Sequence, residues 1–267
     1  MAQYEERRIH ARYPQDISPR VMLECQGQMT DFVVDTGCSF TIVTLNQVKK
    51  WGLEDKMMPS DLPGYLGDAP VSIKINGTIE EHDFYVDDIK DNLLGLDILK
   101  GYSAIIDMYN YRLTFRDYNE DYDISEPLVT INVDGKDIDM TIDTGSTFDM
   151  VGPMSVAKEL GLHLEPSKSP ICDGVGYTST IEYEAYNLCM KGFGSEICGT
   201  YTVQAEDVPD YAKHLLLGAR MCYGCMMQYN ADGTFEIECM DQACEEAETA
   251  AVEEPQGGGE TAELRQN

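Results

Sequence analysis

The feature that most constrains this chain is an internal duplication. The segment FVVDTGCSFTIV at 32–43 aligns with MTIDTGSTFDMV at 140–151, at an offset of 108 residues. Two further pairs of segments follow in the same order: LLGLDIL (93–99) with LLGARMC (216–222), and YNYRLTF (109–115) with YNADGTF (229–235). Ordered matches whose offsets differ only by loop-sized amounts indicate that one structural unit occurs twice in tandem.

Each copy has the sequence pattern of β-structure. Alternating apolar runs are interrupted by dipeptides of the kind that a tight hairpin turn requires, because such a turn needs positive φ at its central positions: Asn76-Gly77, Asp134-Gly135 and Asp232-Gly233. Short helices are predicted over 96–102 and 155–162. We therefore expect a mainly β fold with a few short helices in each copy.

The chain is long enough for two lobes of roughly 110 to 120 residues each. We predict an N-terminal lobe over 1–118, an acidic linker over 119–126 and a C-terminal lobe over 127–239. The segment 240–267 is acidic and contains no aromatic residue. That composition predicts a disordered tail.

Charge and composition exclude several classes of function. The net charge of −29 leaves no basic surface for a nucleic-acid partner and disfavours binding to an anionic membrane. No apolar run reaches the 18 residues that a membrane span needs. Residues 1–15 lack the apolar core of a secretory signal, so we expect a cytoplasmic protein.

Nine cysteines in a cytoplasmic chain are expected to be free thiols. The pair Cys222 and Cys225, together with Cys239 and Cys244, leaves a zinc site or a redox pair open as alternatives. The spacing of the second pair is poor for zinc, so we predict no metal and no cofactor.

The Asp-Thr-Gly tripeptides at Asp35 and Asp143 stand in the same context. Each follows an apolar strand, precedes a small hydroxyl or thiol residue, and has a Leu-Leu-Gly triplet farther downstream. This combination resembles the pepsin and retropepsin superfamily of aspartic peptidases. The stretch LLGLDILKGYSAIIDMYNYRLTF is similar to the retroviral branch in particular. The resemblance covers about residues 20–118 and 127–239.

The resemblance implies two retropepsin-like acid-protease lobes, each a closed or partly open β-barrel, that pair about a pseudo-twofold axis within one monomeric chain. It implies that Asp35 and Asp143 are the catalytic residues of an aspartic endopeptidase acting on polypeptide substrates. Two carboxylates held about 3 Å apart cannot both ionise, so they share one proton, for which aspartic proteases are the standard example. One then activates a water molecule while the other donates a proton to the scissile carbonyl.

Neighbouring residues are expected to support the two loops. Gly37 and Gly145 would let the chain turn tightly against each carboxylate. By resemblance, Thr36 and Thr144 would exchange hydrogen bonds between the lobes.

The residues after the two glycines differ. Ser146 offers a hydroxyl donor to its carboxylate, whereas the thiol of Cys38 is a poor donor. We therefore predict that Asp143 is the more acidic partner and that Asp35 is more often protonated. A small buried residue and an oxidation-sensitive one are the alternative interpretations of Cys38.

The segments LPGYLGDAP (62–70) and CDGVGYTST (172–180) are predicted to be flaps that cover the substrate. The candidate contact residues are Gly64, Tyr65, Gly174, Gly176 and Tyr177. Ordinary surface hairpin loops are the alternative interpretation.

Two other hypotheses about the function stay open. The chain could be a protein-interaction module that has the fold without catalysis, because fold alone does not determine function. It could also be a peptidase whose lobes pair between chains, if the linker is extended.

Overall fold

The computed structural model describes residues 4–10, 17–133, 135–168, 171–174, 177–204 and 215–239. Twenty strands, three short α-helices and two short 3₁₀ helices make up the regular structure of these residues, so the prediction of a mainly β fold is confirmed. The predicted acidic tail at 240–267 lies outside the described residues, as do the flap candidate Gly176 and the turn residue Asp134.

Six strands of the first copy form a closed barrel. They are β2 (Arg20–Cys25), β3 (Gln28–Val34), β4 (Ile42–Thr44), β5 (Gly67–Ile75), β6 (Thr78–Asp87) and β7 (Leu93–Leu94), in the order β2-β3-β7-β4-β6-β5. Every second residue of β5 is buried, as expected for a strand with one face in the core. The turn from β5 to β6 has positive φ at both Asn76 and Gly77, which confirms that predicted hairpin.

Two short helices complete the first copy. The first, α1 (Leu45–Trp51), begins where the Thr44 hydroxyl accepts a hydrogen bond from Gln47 N at 3.0 Å and ends at Gly52 with φ 68°. The second, α2 (Leu96–Gly101), follows β7 directly and lies within the predicted helix at 96–102.

The second copy repeats this arrangement of strands. Its sheet has the order β10-β11-β18-β12-β17-β16-β13. The first strand, β10, also pairs with β16. The strands are β10 (Leu128–Val133), β11 (Lys136–Asp143), β12 (Met150–Pro153), β13 (Glu165–Pro166), β16 (Tyr183–Gly192), β17 (Ser195–Gln204) and β18 (Leu216–Gly218). The helix α3 (Met154–Glu159) follows β12, and a separate hairpin pairs β14 (Ile171–Gly174) with β15 (Tyr177–Thr180).

A five-stranded sheet contains strands from both copies. Its members are β1 (Glu5–Arg8), β8 (Ile105–Asp107), β9 (Arg112–Phe115), β19 (Cys225–Tyr229) and β20 (Phe235–Cys239), in the order β1-β9-β8-β19-β20. The copies meet at β8 and β19, which pair antiparallel from Asp107↔Met226 to Ile105↔Gln228. The two halves are therefore joined by main-chain hydrogen bonds as well as by side-chain packing.

Two disulfides contradict the prediction that the cysteines are free thiols. Cys189 pairs with Cys198, and Cys225 pairs with Cys239. In both cases the residues lie directly opposite each other on neighbouring antiparallel strands, where side chains on the same face come close enough to bond. The second disulfide also removes two of the four thiolates of the alternative zinc site.

The segment 116–127 contains no helix or strand and runs along both halves. Asn119 N donates to Gly101 O at 2.7 Å, and Asn119 Nδ2 donates to Ala231 O at 3.1 Å. The linker is thus anchored to both halves near its start. None of the helices in the described ranges has the length and apolarity needed to cross a bilayer.

Candidate active site

Each Asp-Thr-Gly loop begins at the carboxyl end of an interior strand. In the first copy, β3 runs parallel to β7 and Asp35 N donates to Leu94 O at 3.0 Å. In the second copy, β11 runs parallel to β18, and Asp143 is paired with Gly218 at the last position of the register. The Leu-Leu-Gly strand is therefore the partner that holds each aspartate in place.

The glycine of each Leu-Leu-Gly triplet allows a close backbone crossing. A Cβ at Gly95 would lie 2.5 Å from Phe40 O, in the loop that follows Asp35. A Cβ at Gly218 would overlap the carbonyl oxygen of Phe148, at the equivalent point of the second copy. Neither position has room for a side chain, which explains why the triplet ends in glycine in both copies.

The two threonines hold the loops together. Thr36 N donates to Thr144 Oγ1 at 3.1 Å, and Thr144 N donates to Thr36 Oγ1 at 3.0 Å. Each hydroxyl then donates to a carbonyl of the other copy, Thr36 to Ile142 O at 2.7 Å and Thr144 to Val34 O at 2.6 Å. Both threonines are fully buried. Four hydrogen bonds related by approximate twofold symmetry thus fix the register of one loop against the other.

Each loop glycine lies against the aspartate of the other copy. A Cβ at Gly37 would be 2.7 Å from Asp143 Oδ1, and a Cβ at Gly145 would be 2.6 Å from Asp35 Oδ1. Real Cβ contacts are essentially never this short. The structure therefore brings the predicted residues Asp35 and Asp143 together, and glycine is needed because of this close approach, without positive φ at either position.

The two carboxyl groups have different surroundings. Burial raises the pKa of Asp35 well above its usual range, and the charge of Asp143 and a hydrogen bond with that side chain raise it further. Burial also raises the pKa of Asp143, but hydrogen bonds from Asp35, Ser146 and Gly145 oppose this shift. Asp143 Oδ1 accepts both Gly145 N and Ser146 N at 2.9 Å, whereas Asp35 Oδ1 accepts a single backbone N–H of the described residues, that of Gly37 at 3.0 Å. The negative charge is therefore better stabilised on Asp143.

This asymmetry has the predicted direction but a different origin. The donor to Asp143 is the backbone N–H of Ser146, while the Ser146 hydroxyl accepts a hydrogen bond from Phe148 N at 3.3 Å. In the first copy the Cys38 thiol donates to Phe40 O at 3.0 Å. Burial raises the pKa of Cys38 well above its usual range, so the thiol stays neutral.

The two predicted flap segments have different structures. Gly64 and Tyr65 lie in an irregular segment before β5, closed by an isolated bridge between Met58 and Asp68. In the second copy, Gly174 and Tyr177 form the last pair of the β14–β15 hairpin. Only the second segment is thus a hairpin of its own.

The ring of Tyr65 belongs to an aromatic cluster beside the first active-site loop. It lies 4.8 Å from the ring of Tyr85, which in turn lies 4.9 Å from the ring of Phe40. Tyr85 also donates its hydroxyl to Asp61 Oδ1 at 3.0 Å. These contacts anchor the segment that carries Gly64 and Tyr65 against the first barrel.

Sequence reasoning missed a polar pair beneath each loop. In the first copy Thr41 donates its hydroxyl to Asp97 Oδ1 at 2.6 Å. In the second copy the equivalent positions are Asp149 and Arg220, which form an ion pair at 2.9 Å, and Asp149 Oδ2 also accepts Thr200 N at 2.8 Å. The signal was present in the alignment of the copies, which places Thr41 opposite Asp149 and Asp97 opposite Arg220.

Comparison with known proteins adds little to what the structure itself shows. No family model matches the sequence, and no curated protein matches it. Among solved structures, the chain is similar to EIAV protease complexed with the inhibitor HBY-793, at 22% identity and a TM-score of 0.28. The match covers 33% of this chain and 89% of that one. A similarity at this level carries no weight for activity, and the geometry of the two loops is what bears on function.

Proposed function

We propose that this chain is an aspartic endopeptidase in which Asp35 and Asp143 together activate a water molecule. The observation that supports the proposal is the meeting of two aspartates from two symmetric loops, Asp35 buried and Asp143 partly buried. Each aspartate lies against the glycine of the other loop. An unpaired buried carboxylate is costly, and two adjacent ones cannot both ionise, so the pair shares a proton.

The hydrogen bonds assign different roles to the two aspartates. Asp143 accepts two backbone N–H groups, which favour its ionised form, and it serves as the base that takes a proton from water. Asp35 keeps the shared proton, because its pKa is the more strongly raised, and donates it to the carbonyl oxygen of the scissile peptide bond. The tetrahedral intermediate then collapses: Asp143 gives the proton that it took from water to the leaving amine, the C–N bond breaks, and Asp35 takes a proton back as the new carboxyl group forms.

The proposed arrangement of the peptidase follows from the internal duplication. The halves 1–118 and 127–239 act as two retropepsin-like lobes, joined by the linker 119–126, and pair within one chain. The substrate is a polypeptide, no metal or cofactor takes part, and the β14–β15 hairpin serves as the flap of the second lobe. The segment around Tyr65 forms a wall of the cleft on the first lobe.

The test is hydrolysis of unfolded protein and of a peptide library across acidic and neutral pH. The variants Asp35→Asn and Asp143→Asn should each lose at least about a thousandfold in kcat, because each removes one member of the acid–base pair. The matched control is Asp139→Asn, which changes an exposed aspartate on β11, the strand that leads to Asp143. It should retain full activity.

Unchanged turnover in either dyad variant would refute the shared mechanism. If the folded wild-type protein cleaves no substrate in the library, the result would instead favour the alternative function, a protein-interaction module without catalysis. Circular dichroism of each variant separates loss of chemistry from loss of fold.

A further inference from the structure

The residues just before β2 and β10 occupy equivalent places in the two copies. At the offset of 108, Ser18 corresponds to Glu126 and Pro19 corresponds to Pro127. Pro19 O accepts Val34 N at 2.8 Å, and Pro127 O accepts Ile142 N at 3.0 Å. Each proline thus contacts the strand residue that precedes an aspartate, and Ser18 and Glu126 lie one residue farther from it.

Ser18 reaches the active-site loop of the other copy. It is buried, and its hydroxyl donates to Gly145 O at 3.0 Å. The same symmetry places Glu126 beside the first loop, which carries Asp35 and Gly37. An ionised carboxylate cannot repeat the donation that serine makes to a carbonyl, so Glu126 brings a negative charge to the place where Ser18 brings a hydrogen bond.

We propose that Glu126 is a third carboxylate of this site, which acts through Asp35 to hold the shared proton on the dyad up to higher pH. The role rests on the proposed function, since it concerns the proton that the peptidase mechanism uses. Glu126 acts on the shared proton through Asp35 and is a positioning residue for that proton.

The electrostatics agree with this placement. The charge of Glu126 raises the pKa of Asp35 beyond the effects of burial and of Asp143. Glu126 is half-buried, so solvent screens its effect only partly.

The other titratable groups near the dyad, in the part of the chain that the structure describes, are neutral or acidic. Burial raises the pKa of Cys38 and Cys222, so both thiols stay protonated. It raises the pKa of Tyr229, which stays neutral, and that of Asp97. Among the described residues, the two acids whose charges raise the pKa of Asp35 are therefore its dyad partner Asp143 and Glu126.

The sign of the effect follows from like-charge repulsion. An anionic Glu126 disfavours ionisation of Asp35, so the dyad loses its shared proton at a higher pH. The variant Glu126→Gln removes the charge and keeps the shape, so the upper titration step should fall by about half a unit to one unit. The alkaline limb of the pH–rate profile should move to lower pH by the same amount.

The experiment titrates the two aspartates by carbon NMR in protein labelled at the aspartate carboxyl carbon. The wild type is compared with Glu126→Gln, Glu126→Asp and Glu120→Gln. The last is the matched control, because it removes the same charge from an exposed position of the same linker. We expect a lowered upper step in Glu126→Gln, a smaller change in Glu126→Asp, and none in Glu120→Gln. Added salt should reduce the difference between wild type and Glu126→Gln.

An upper step that is unchanged in Glu126→Gln, or that shifts equally in Glu120→Gln, would overturn the proposal. If Glu126→Gln fails to fold, two other results would together overturn the proposal. They are an upper titration step that does not shift in Glu126→Asp and a wild-type upper step that does not respond to added salt. Because NMR reads the proton directly, the result does not depend on turnover. An altered titration in a protein that cleaves nothing would support Glu126 and refute the peptidase.

Discussion

Two positions without a side chain set how closely the aspartates approach. Gly37 faces Asp143, and Gly145 faces Asp35, at distances that leave no space for a methyl group. The variant Gly37→Ala should push the loops apart, abolish most of the turnover and lower the free energy of unfolding by about 1–3 kcal/mol. Kinetics and urea denaturation measure the two effects.

The control for this change is Gly192→Ala. There the new Cβ would meet Ile131 Cγ2 at 3.4 Å, an ordinary contact in the second sheet. It should leave kcat unchanged. Wild-type kcat in Gly37→Ala would show that the carboxyl groups do not depend on this close approach.

A second residue-level prediction concerns the ion pair beneath the second loop. Asp149 has a side chain only 6% exposed, while its partner Arg220 is 56% exposed. Replacing the arginine with methionine leaves a buried carboxylate with one fewer donor, so Arg220→Met should cost about 1–3 kcal/mol of stability.

Arg112→Met is the comparison for Arg220→Met. Arg112 is equally exposed, at 54%, but its partner Glu6 is 52% exposed, so the loss should stay below about 1 kcal/mol. Equal losses of stability in the two variants would mean that the burial of the partner carboxylate does not affect how much the ion pair stabilises the protein. Thermal and urea unfolding at neutral pH give both values.

At the level of elements, the disulfide between Cys225 and Cys239 fastens the edge strand β20 to β19 in the shared sheet. The bond closes a loop with a sequence separation of 14, for which chain entropy predicts about 3 kcal/mol. The double variant Cys225→Ser/Cys239→Ser should lose about that much stability and should weaken the docking of the two halves. Guanidinium unfolding with and without reductant measures the loss.

The pair Cys189 and Cys198 is the control, because it links β16 and β17 within the second copy alone. Its removal should destabilise the protein without separating the halves. The prediction would be contradicted if, in oxidising buffer, the double variant Cys225→Ser/Cys239→Ser had the same free energy of unfolding as the wild type.

Local chemistry explains which elements were predictable. The turn at Asn76-Gly77 was predictable because it needs positive φ, and Asn and Gly are the residues that most readily adopt positive φ. The disulfides were missed because they depend on strand register, which places Cys189 opposite Cys198 only once the turn at Phe193 and Gly194 is known. The flap role of the segment at 62–70 stays a prediction. Its Gly and Tyr residues do not determine pairing, so the irregular structure before β5 could not be foreseen.

The meeting of the two Asp-Thr-Gly loops was predictable for a different reason. A repeated tripeptide with a repeated downstream glycine indicates a symmetric arrangement, so the close approach of Asp35 and Asp143 could be predicted without a structure. The contribution of Glu126 depends on how the linker returns to the second copy. No local pattern in the linker indicates that path.

At the level of the whole molecule, neither half is complete alone. The loops exchange four hydrogen bonds through Thr36 and Thr144, and β8 pairs with β19 in the shared sheet. We therefore expect one cooperative unfolding transition for both halves. The linker contacts of Asn119 with both halves favour pairing within one chain over exchange between chains.

Mixing two inactive variants tests intramolecular pairing directly. Asp35→Asn and Asp143→Asn, refolded together at a one-to-one ratio, should stay inactive if each chain pairs its own halves, because every dyad then carries one asparagine. If halves exchange between chains, half of the dimers join different variants and one of their two sites is intact, so about a quarter of wild-type activity should return. Light scattering on the same mixture gives the mass of the species present. Restored activity in a dimer-sized fraction would overturn intramolecular pairing, whereas an inactive monomer that is fully folded would support it.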